Sequence, residues 1–353
     1  MNITKKTSVV LLSMLKELEK APIIYKPSKY WQDINFTHIE DIHVNGIKYF
    51  KRTINREYFN WMLSGFFMQQ LTTIFSEILR GNLNPIFKSK IVDNVKGQYY
   101  RSLKRTDNIV YKVAFRICIA YLFDYVSRID RLGILQKVSE PLEGSPLLIR
   151  YRGKLISQDL ANSVHEFYSI TEKIDFKRNI EVGELGAGYG RVAYVFLKTI
   201  KQSRYTIIDI PPALFISQEY LRKVFPRENF FFFRPFKKFS DVEKEFKSAR
   251  IRFLLPHQIE QLPKDIFDIF INISSLHEMR RNQIKNYFAQ IDRLTNGYVY
   301  LKEWKKAKAK DNNYIEEGQY PIPKTWEKVY QRSHPVQNMF FEGLYQLKRK
   351  TRA

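Results

Sequence analysis

Between residues 179 and 302, short apolar runs at 179–185, 204–209, 229–233, 251–255, 266–273 and 297–302 alternate with segments of helical period at 190–201, 212–224, 239–248 and 280–294. Strands joined through helices pair in parallel, because each helix carries the chain back to the edge it started from. The alternation therefore predicts an α/β fold, a Rossmann-like sheet with helices on both faces. The segment "WEKVYQRSHPVQNMFFEGLYQL" (326–347) reads as two terminal strands forming an antiparallel edge.

Ahead of this pattern, segments 8–20, 55–80 and 107–131 place apolar residues at helical spacing, with Gly81 and Pro85 ending the second. Prolines and glycines collect in "SEPLEGSPLLIRYRG" (139–153), and a helix over 157–174 leads into the first strand. The expected division is a mainly helical N-terminal region, 1–145, and a Rossmann-like domain, 146–353.

Composition narrows the setting. The single cysteine, Cys118, excludes an intramolecular disulfide framework and a multi-cysteine zinc site, and fits a reducing compartment. The stretch "IVYKVAFRICIAYLFDYV" (109–126) is interrupted by Lys112, Arg116 and Asp124, so it reads as a buried or amphipathic helix rather than a membrane span. Lys5 and Lys6 precede only a brief apolar run with no small-residue cleavage site, which points to a cytoplasmic protein. The net charge of +23 is spread along the chain, with concentrations at "RPFKK" (234–238), "KEWKKAKAK" (302–310) and "KRKTR" (348–352). A solvated basic surface is the first reading, and attraction to an anionic membrane face or acidic glycan the second. Nucleic acid comes last, since no recognition motif accompanies the charge.

The stretch "ELGAGYGR" (184–191) carries the strongest chemical signal. Gly186, Gly188 and Gly190, with Ala187 between the first two, follow a strand and open a helix, where a tight turn lets backbone approach a ligand. The spacing G-x-G-x-G differs from the dinucleotide fingerprint, and no Gly-Lys-Ser/Thr follows, which excludes a Walker loop. An acid two residues before the first glycine, Glu184, repels a pyrophosphate and suits a cationic ligand. Asp209 closes the next strand, 19 residues after Gly190.

Together these residues resemble the first motifs of class I S-adenosylmethionine-dependent methyltransferases. Two further stretches, "IIDIPPALFISQEYL" (207–221) and "FDIFINISSLHEM" (267–279), are similar to the bacterial sugar O-methyltransferase family. Asp209, Pro211, Tyr220 and Leu221 match its D-x-P turn and following helix. Asn272, Ser275, Glu278 and Met279 match its N-x-x-S-x-x-E-M segment. The resemblance covers roughly residues 145–350. It implies S-adenosyl-L-methionine as cofactor, held by Glu184, Gly186, Ala187, Gly188, Gly190 and Asp209, with Asn272 and Ser275 contributing. It implies a sugar hydroxyl of a surface polysaccharide, lipopolysaccharide or precursor as acceptor. Lipid-linked precursors at the inner membrane face would give the basic surface a purpose through peripheral association. A homo-oligomer is left open.

The catalytic base stays open between His277, whose ordinary pKa suits proton transfer, and Glu278, which matches the family motif. The alternative for both is to cap the helix starting near Arg280. A divalent metal is not expected, because no dense carboxylate cluster is visible; Glu278, Glu303 and His334 are the residues that would have to converge. His165 and Tyr168 are expected in the core or on the surface, and His257 in a plain loop as readily as at the adenine edge. Among Trp31, Trp61, Trp304 and Trp326, the latter two are the better acceptor candidates, the usual role of such residues being core packing. The rival readings are an RNA or protein methyltransferase, a non-catalytic carbohydrate- or membrane-binding protein of this fold, and a nicotinamide-dependent sugar oxidoreductase.

Overall fold

The computed structural model describes residues 3–53, 71–92, 109–174, 179–308 and 314–347. Trp61, the first part of the expected 55–80 helix and the basic cluster 348–352 lie outside the described residues.

The N-terminal part contains helices α1 (Ile3–Lys20), α2 (Lys29–Asn45), α3 (Leu71–Leu79) and α4 (Ile109–Ile129). The polar interruptions of α4 do not expose it: Phe115, Ile119, Leu122 and Val126 are buried. Its Asp124 is buried with them, accepting the Tyr151 hydroxyl at 2.7 Å and the Asn82 amide at 2.6 Å. Helix α2 escapes sequence reading because it buries Asn35 and His38 while exposing Phe36 and Val44, so no single apolar stripe runs along it. A small antiparallel sheet is equally unforeseen. It pairs β1 (Lys90–Val92), β2 (Leu148–Tyr151) and β3 (Lys154–Ile156), the second inside the Pro/Gly-rich stretch and the third directly after it. Helix α5 (Gln158–Thr171) follows, with Ser157 Oγ accepting the Leu160 N–H at 3.0 Å as its cap.

The main sheet contains β4 (Ile180–Leu185), β5 (Ser203–Ile208), β6 (Phe230–Phe231), β7 (Ile251–Leu254), β8 (Phe267–Ile273) and β9 (Thr295–Trp304). A short ribbon of β10 (Lys306–Lys308) and β11 (Tyr314–Glu316) precedes its last strands, β12 (Trp326–Ser333) and β13 (Phe340–Leu347). The spatial order is β12-β13-β9-β8-β4-β5-β7-β6. Strands β4 to β9 run parallel, and β13 lies antiparallel to both β9 and β12. Every expected strand exists, although 229–233 contracts to two residues and 239–248 starts as a 3₁₀ turn before its helix.

Helices α6 (Arg191–Thr199), α7 (Ala213–Val224), α8 (Glu243–Ser248) and α9 (Arg281–Leu294) connect the parallel strands. Because both faces of the sheet are covered, its central strands carry continuous apolar runs: Val182, Ile207, Ile269, Ile271 and Phe253 are all fully buried. The path leaves β4 toward β5 and leaves β8, its other neighbour, toward β9. The loops after β4 and β8 therefore diverge, opening a crevice at the carboxyl ends of the strands.

Candidate active site

Strand β4 ends at Leu185, and the loop to α6 is shaped by glycine. Gly186, Gly188 and Gly190 have φ of +73°, +59° and +85°, a region side chains other than glycine's rarely adopt. At Gly186 a β-carbon would also lie 2.4 Å from Ser275 Oγ, so the loop is seated directly on the turn that follows β8. It is also tied to the end of β5. Gly186 N–H donates to the Ile208 carbonyl at 2.9 Å, and Gly188 N–H donates to Asp209 Oδ2 at 2.8 Å. Asp209 Oδ1 accepts the Ile210 N–H at 2.7 Å.

Glu184, Gly186, Ala187, Gly188 and Asp209 line one cleft with Ser275 and Glu278, which encloses about 1110 Å³ with its open mouth included. Gly190 stands behind it, its position pressed against Leu221 and Ile207. Glu184 and Asp209 are buried, and among the described residues neither pairs with a cation. Burial raises Asp209 to about 7, against the pull of the Gly188 and Ile210 N–H groups. Burial raises Glu184 to about 8, although the Tyr205 hydroxyl donates to it at 2.8 Å and Arg191 lies near.

Arg191, which also lines the cleft, is committed elsewhere. It grips Glu166 of α5 with two nitrogens, one at 2.9 Å, and donates to Ser163 Oγ at 3.0 Å. Glu166 also accepts Lys302 Nζ at 2.7 Å. Despite complete burial, these two cations hold Glu166 down at about 2.

The turn after β8 supplies the other wall. Asn272 is wholly buried and does not reach the cleft. Its amide donates to the Leu185 carbonyl at 2.9 Å and to Ser275 Oγ at 2.6 Å, clasping the two diverging loops together. Asn272 is thus a brace for the loop rather than part of its lining. Ser274 takes φ +56°, turning the chain into the 3₁₀ segment Leu276–Glu278.

Glu303, on β9, was weighed from sequence only as a metal ligand, and the structure gives it a central place. Fully buried, its carboxylate accepts the N–H groups of Ser275 and Leu276 at 3.1 Å each. It also accepts His277 Nδ1–H at 2.8 Å. The other ring nitrogen, Nε2, lies 3.6 Å from Glu278 Oε1. Burial lowers the His277 pKa, but the Glu303 bond and the charges of Glu278 and Glu303 outweigh it, and the net shift is upward. Glu278 faces the cleft and His277 stands behind it. Neither caps α9: Gln283 Oε1 does so by accepting the Arg280 N–H at 3.1 Å.

The last wall comes from the N-terminal part. Residues 23–28 form a strap fastened to α9. Gln283 Nε2 donates to the carbonyls of Ile24 at 2.9 Å and Lys26 at 2.8 Å, and Arg280 donates to Ile23 at 2.9 Å. Tyr25 OH donates to Glu260 at 2.7 Å. One helical turn on, Trp31 Nε1 donates to Glu278 Oε2 at 2.7 Å. Trp31, rather than Trp304 or Trp326, therefore lines the cleft. Trp326 is buried with its indole on Asp292 at 2.7 Å, and Trp304 packs between His277 and Phe340.

His165 and His334 do meet, rings 4.8 Å apart, beside Glu342. This cluster is core structure. His334 Nδ1 accepts the Val336 and Gln337 N–H groups, while Glu342 accepts Tyr300 OH at 2.8 Å and Arg332 Nε at 2.7 Å. Tyr168 is likewise internal, its hydroxyl on Asp130 at 2.7 Å. His257 lies outside the cleft lining.

No family model and no curated protein matches the chain. Solved structures similar to it include a SAM-dependent methyltransferase from Aquifex aeolicus, 14% identical over 64% of this chain and 98% of its own, TM-score 0.37. Another is the 1,6-didemethyltoxoflavin-N1-methyltransferase of Burkholderia thailandensis, 15% identical over 54% of this chain and 79% of its own, TM-score 0.35. A third is the mitomycin 7-O-methyltransferase MmcR, 12% identical over 53% of this chain and 54% of its own, TM-score 0.34.

Proposed function

We propose that the protein is an S-adenosylmethionine-dependent O-methyltransferase acting on a sugar hydroxyl. The observation that carries the cofactor assignment is the pair of buried carboxylates, Glu184 and Asp209, beside a glycine cradle and without an ion-pair partner among the described residues. Two such acids oppose a pyrophosphate and fit a ligand that brings positive charge and ribose hydroxyls. Asp209 would hold the ribose, Glu184 the charged amino-acid end, and Gly186 to Gly188 the backbone floor. When bound, S-adenosylmethionine supplies a sulfonium-activated methyl group, which passes to the acceptor oxygen as the carbon–sulfur bond breaks and the hydroxyl proton departs.

The chain's own task is to receive that proton and to hold the acceptor in line. Glu278 is the group facing the cleft, and it takes the proton at Oε1 or Oε2. His277 lies behind Oε1 with Nδ1–H fixed on Glu303, so Nε2 is the acceptor position of the neutral ring. The proton then passes from Glu278 to His277, leaving an imidazolium between two carboxylates. The upward shift of His277 matches that role. The sugar assignment rests on the match of Asn272, Ser275, Glu278 and Met279 to the family segment.

The test is calorimetric titration with S-adenosylhomocysteine, NADH serving as control. Binding that Asp209→Ala weakens severely supports the reading; a folded protein that binds NADH instead overturns it. Glu278→Gln is then expected to abolish methyl transfer to glycan acceptors while leaving S-adenosylhomocysteine affinity within about threefold, because the charge it removes lies on the acceptor side.

A further inference from the structure

We propose that the N-terminal strap supplies the acceptor subsite, with Trp31 as its platform and the Trp31–Glu278 hydrogen bond as a latch that the acceptor opens. The inference rests on the methyltransferase reading and adds to it the residues that recognise the acceptor.

Three observations converge. First, Trp31 Nε1 occupies Glu278 Oε2 at 2.7 Å, the carboxylate that must take the acceptor's proton. An acceptor hydroxyl that bonds that oxygen meets the indole N–H there and must share the oxygen with it or displace it. Second, the adjoining lining holds hydroxyls that bond nothing among the described residues: Ser28 Oγ, from a residue 7% exposed, and Ser274 Oγ are buried without a partner there. An unmet buried hydroxyl is destabilising unless a ligand completes it. Third, the strap itself is immobilised by Gln283, Arg280 and Glu260, and Trp31 reaches the wall opposite through its hydrogen bond to Glu278. The device is a fixed frame with a releasable contact.

The chemistry this recognises is a ring with one flat apolar face and several hydroxyls. The indole meets the face, Ser28 and Ser274 meet ring hydroxyls, and Glu278 meets the hydroxyl to be methylated. A pyranose has that combination; a planar aromatic acceptor would satisfy the indole and leave both serines unmet.

The experiment uses full-length protein with ¹⁵N-labelled tryptophan indoles, saturated with S-adenosylhomocysteine, and titrated with methyl α-glucoside, methyl α-rhamnoside and methyl α-mannoside. Trp31→Phe identifies the Trp31 resonance. The expected result is that a glycoside shifts this resonance while S-adenosylhomocysteine alone does not. Ser28→Ala and Trp31→Phe should each weaken that glycoside about three- to tenfold, with S-adenosylhomocysteine affinity unchanged. A Trp31 resonance moved by S-adenosylhomocysteine and by no glycoside overturns the subsite, as does one that responds to neither in a protein that binds S-adenosylhomocysteine. If S-adenosylhomocysteine itself fails to bind, the methyltransferase reading has failed first.

Discussion

Two sets of buried carboxylates, Glu166 with its cations and Glu184 with Asp209, have opposite electrostatics. Glu166 is fully buried yet held at about 2, because Arg191 and Lys302 both bond it. Glu184 and Asp209, buried comparably, rise to about 8 and about 7. Burial alone pushes all three upward; what separates them is whether the fold provides a cation. The first set is complete within the chain. The second lacks its positive partner, and such acids at the mouth of a glycine loop point to a cationic ligand. Even Arg191, which borders the cleft, is turned to Glu166 instead.

Breaking the completed set has the largest expected effect. Glu166→Ala leaves Arg191 and Lys302 buried without an anion, which should remove about 3–5 kcal/mol of stability in urea denaturation. Asp209→Ala leaves the Gly188 and Ile210 N–H groups without their acceptor, so it should cost only about 1–2 kcal/mol of stability but about 3 kcal/mol, or about a hundredfold, of S-adenosylmethionine affinity by calorimetry. Equal destabilisation by both substitutions would erase the distinction.

The pH dependence follows next in size. Because both acids are raised above their unfolded values, the stability due to their protonated forms is present at low pH. It declines as pH climbs through about 7 and about 8. A cationic ligand needs them ionised, so affinity for S-adenosylmethionine should rise between about pH 6 and pH 8, by up to about tenfold per unit for each acid. Binding at neutral pH should release protons, visible as a heat that varies with the buffer's ionisation enthalpy. A flat profile without proton release would mean that the acids already have partners. The smallest effect belongs to the brace: Asn272→Ala should cost about 1–2 kcal/mol of stability and shift S-adenosylhomocysteine affinity only slightly. An affinity loss as deep as that of Asp209→Ala would make Asn272 a ligand contact after all.

The sheet and its glycine loop were legible because each depends on neighbours in sequence. Parallel strands leave continuous apolar runs, and the loop's positive φ values leave Gly186, Gly188 and Gly190. Glu184 and Asp209 could be read for the same reason, each ending a recognisable strand beside that loop. The opposite wall was legible only in part. His277 and Glu278 stood out as a pair, but Glu303, which fixes the imidazole, is 26 residues on and carries no local pattern. Trp31 was less visible still: it sits on a helix without an apolar stripe and meets its partner across 247 residues. Asn272 was expected to contribute to cofactor binding, and its amide instead bonds the Leu185 carbonyl and Ser275 Oγ; whether an amide faces a ligand or a carbonyl is decided by packing.

The strap has a consequence for how the molecule assembles. Its partners, Glu260 and Glu278, lie 235 and 247 residues downstream of Tyr25 and Trp31. On a growing chain the strap emerges long before Glu260, Glu278 and α9, on which it docks. Contacts of such sequence separation form late, since the intervening chain must order before they reward closure. The cleft thus gains its roof only once α9 and the turn after β8 are in place. Until then, Glu278 has no indole above it and the binding site is an open groove, so ligand competence should mark the completed molecule rather than any earlier stage.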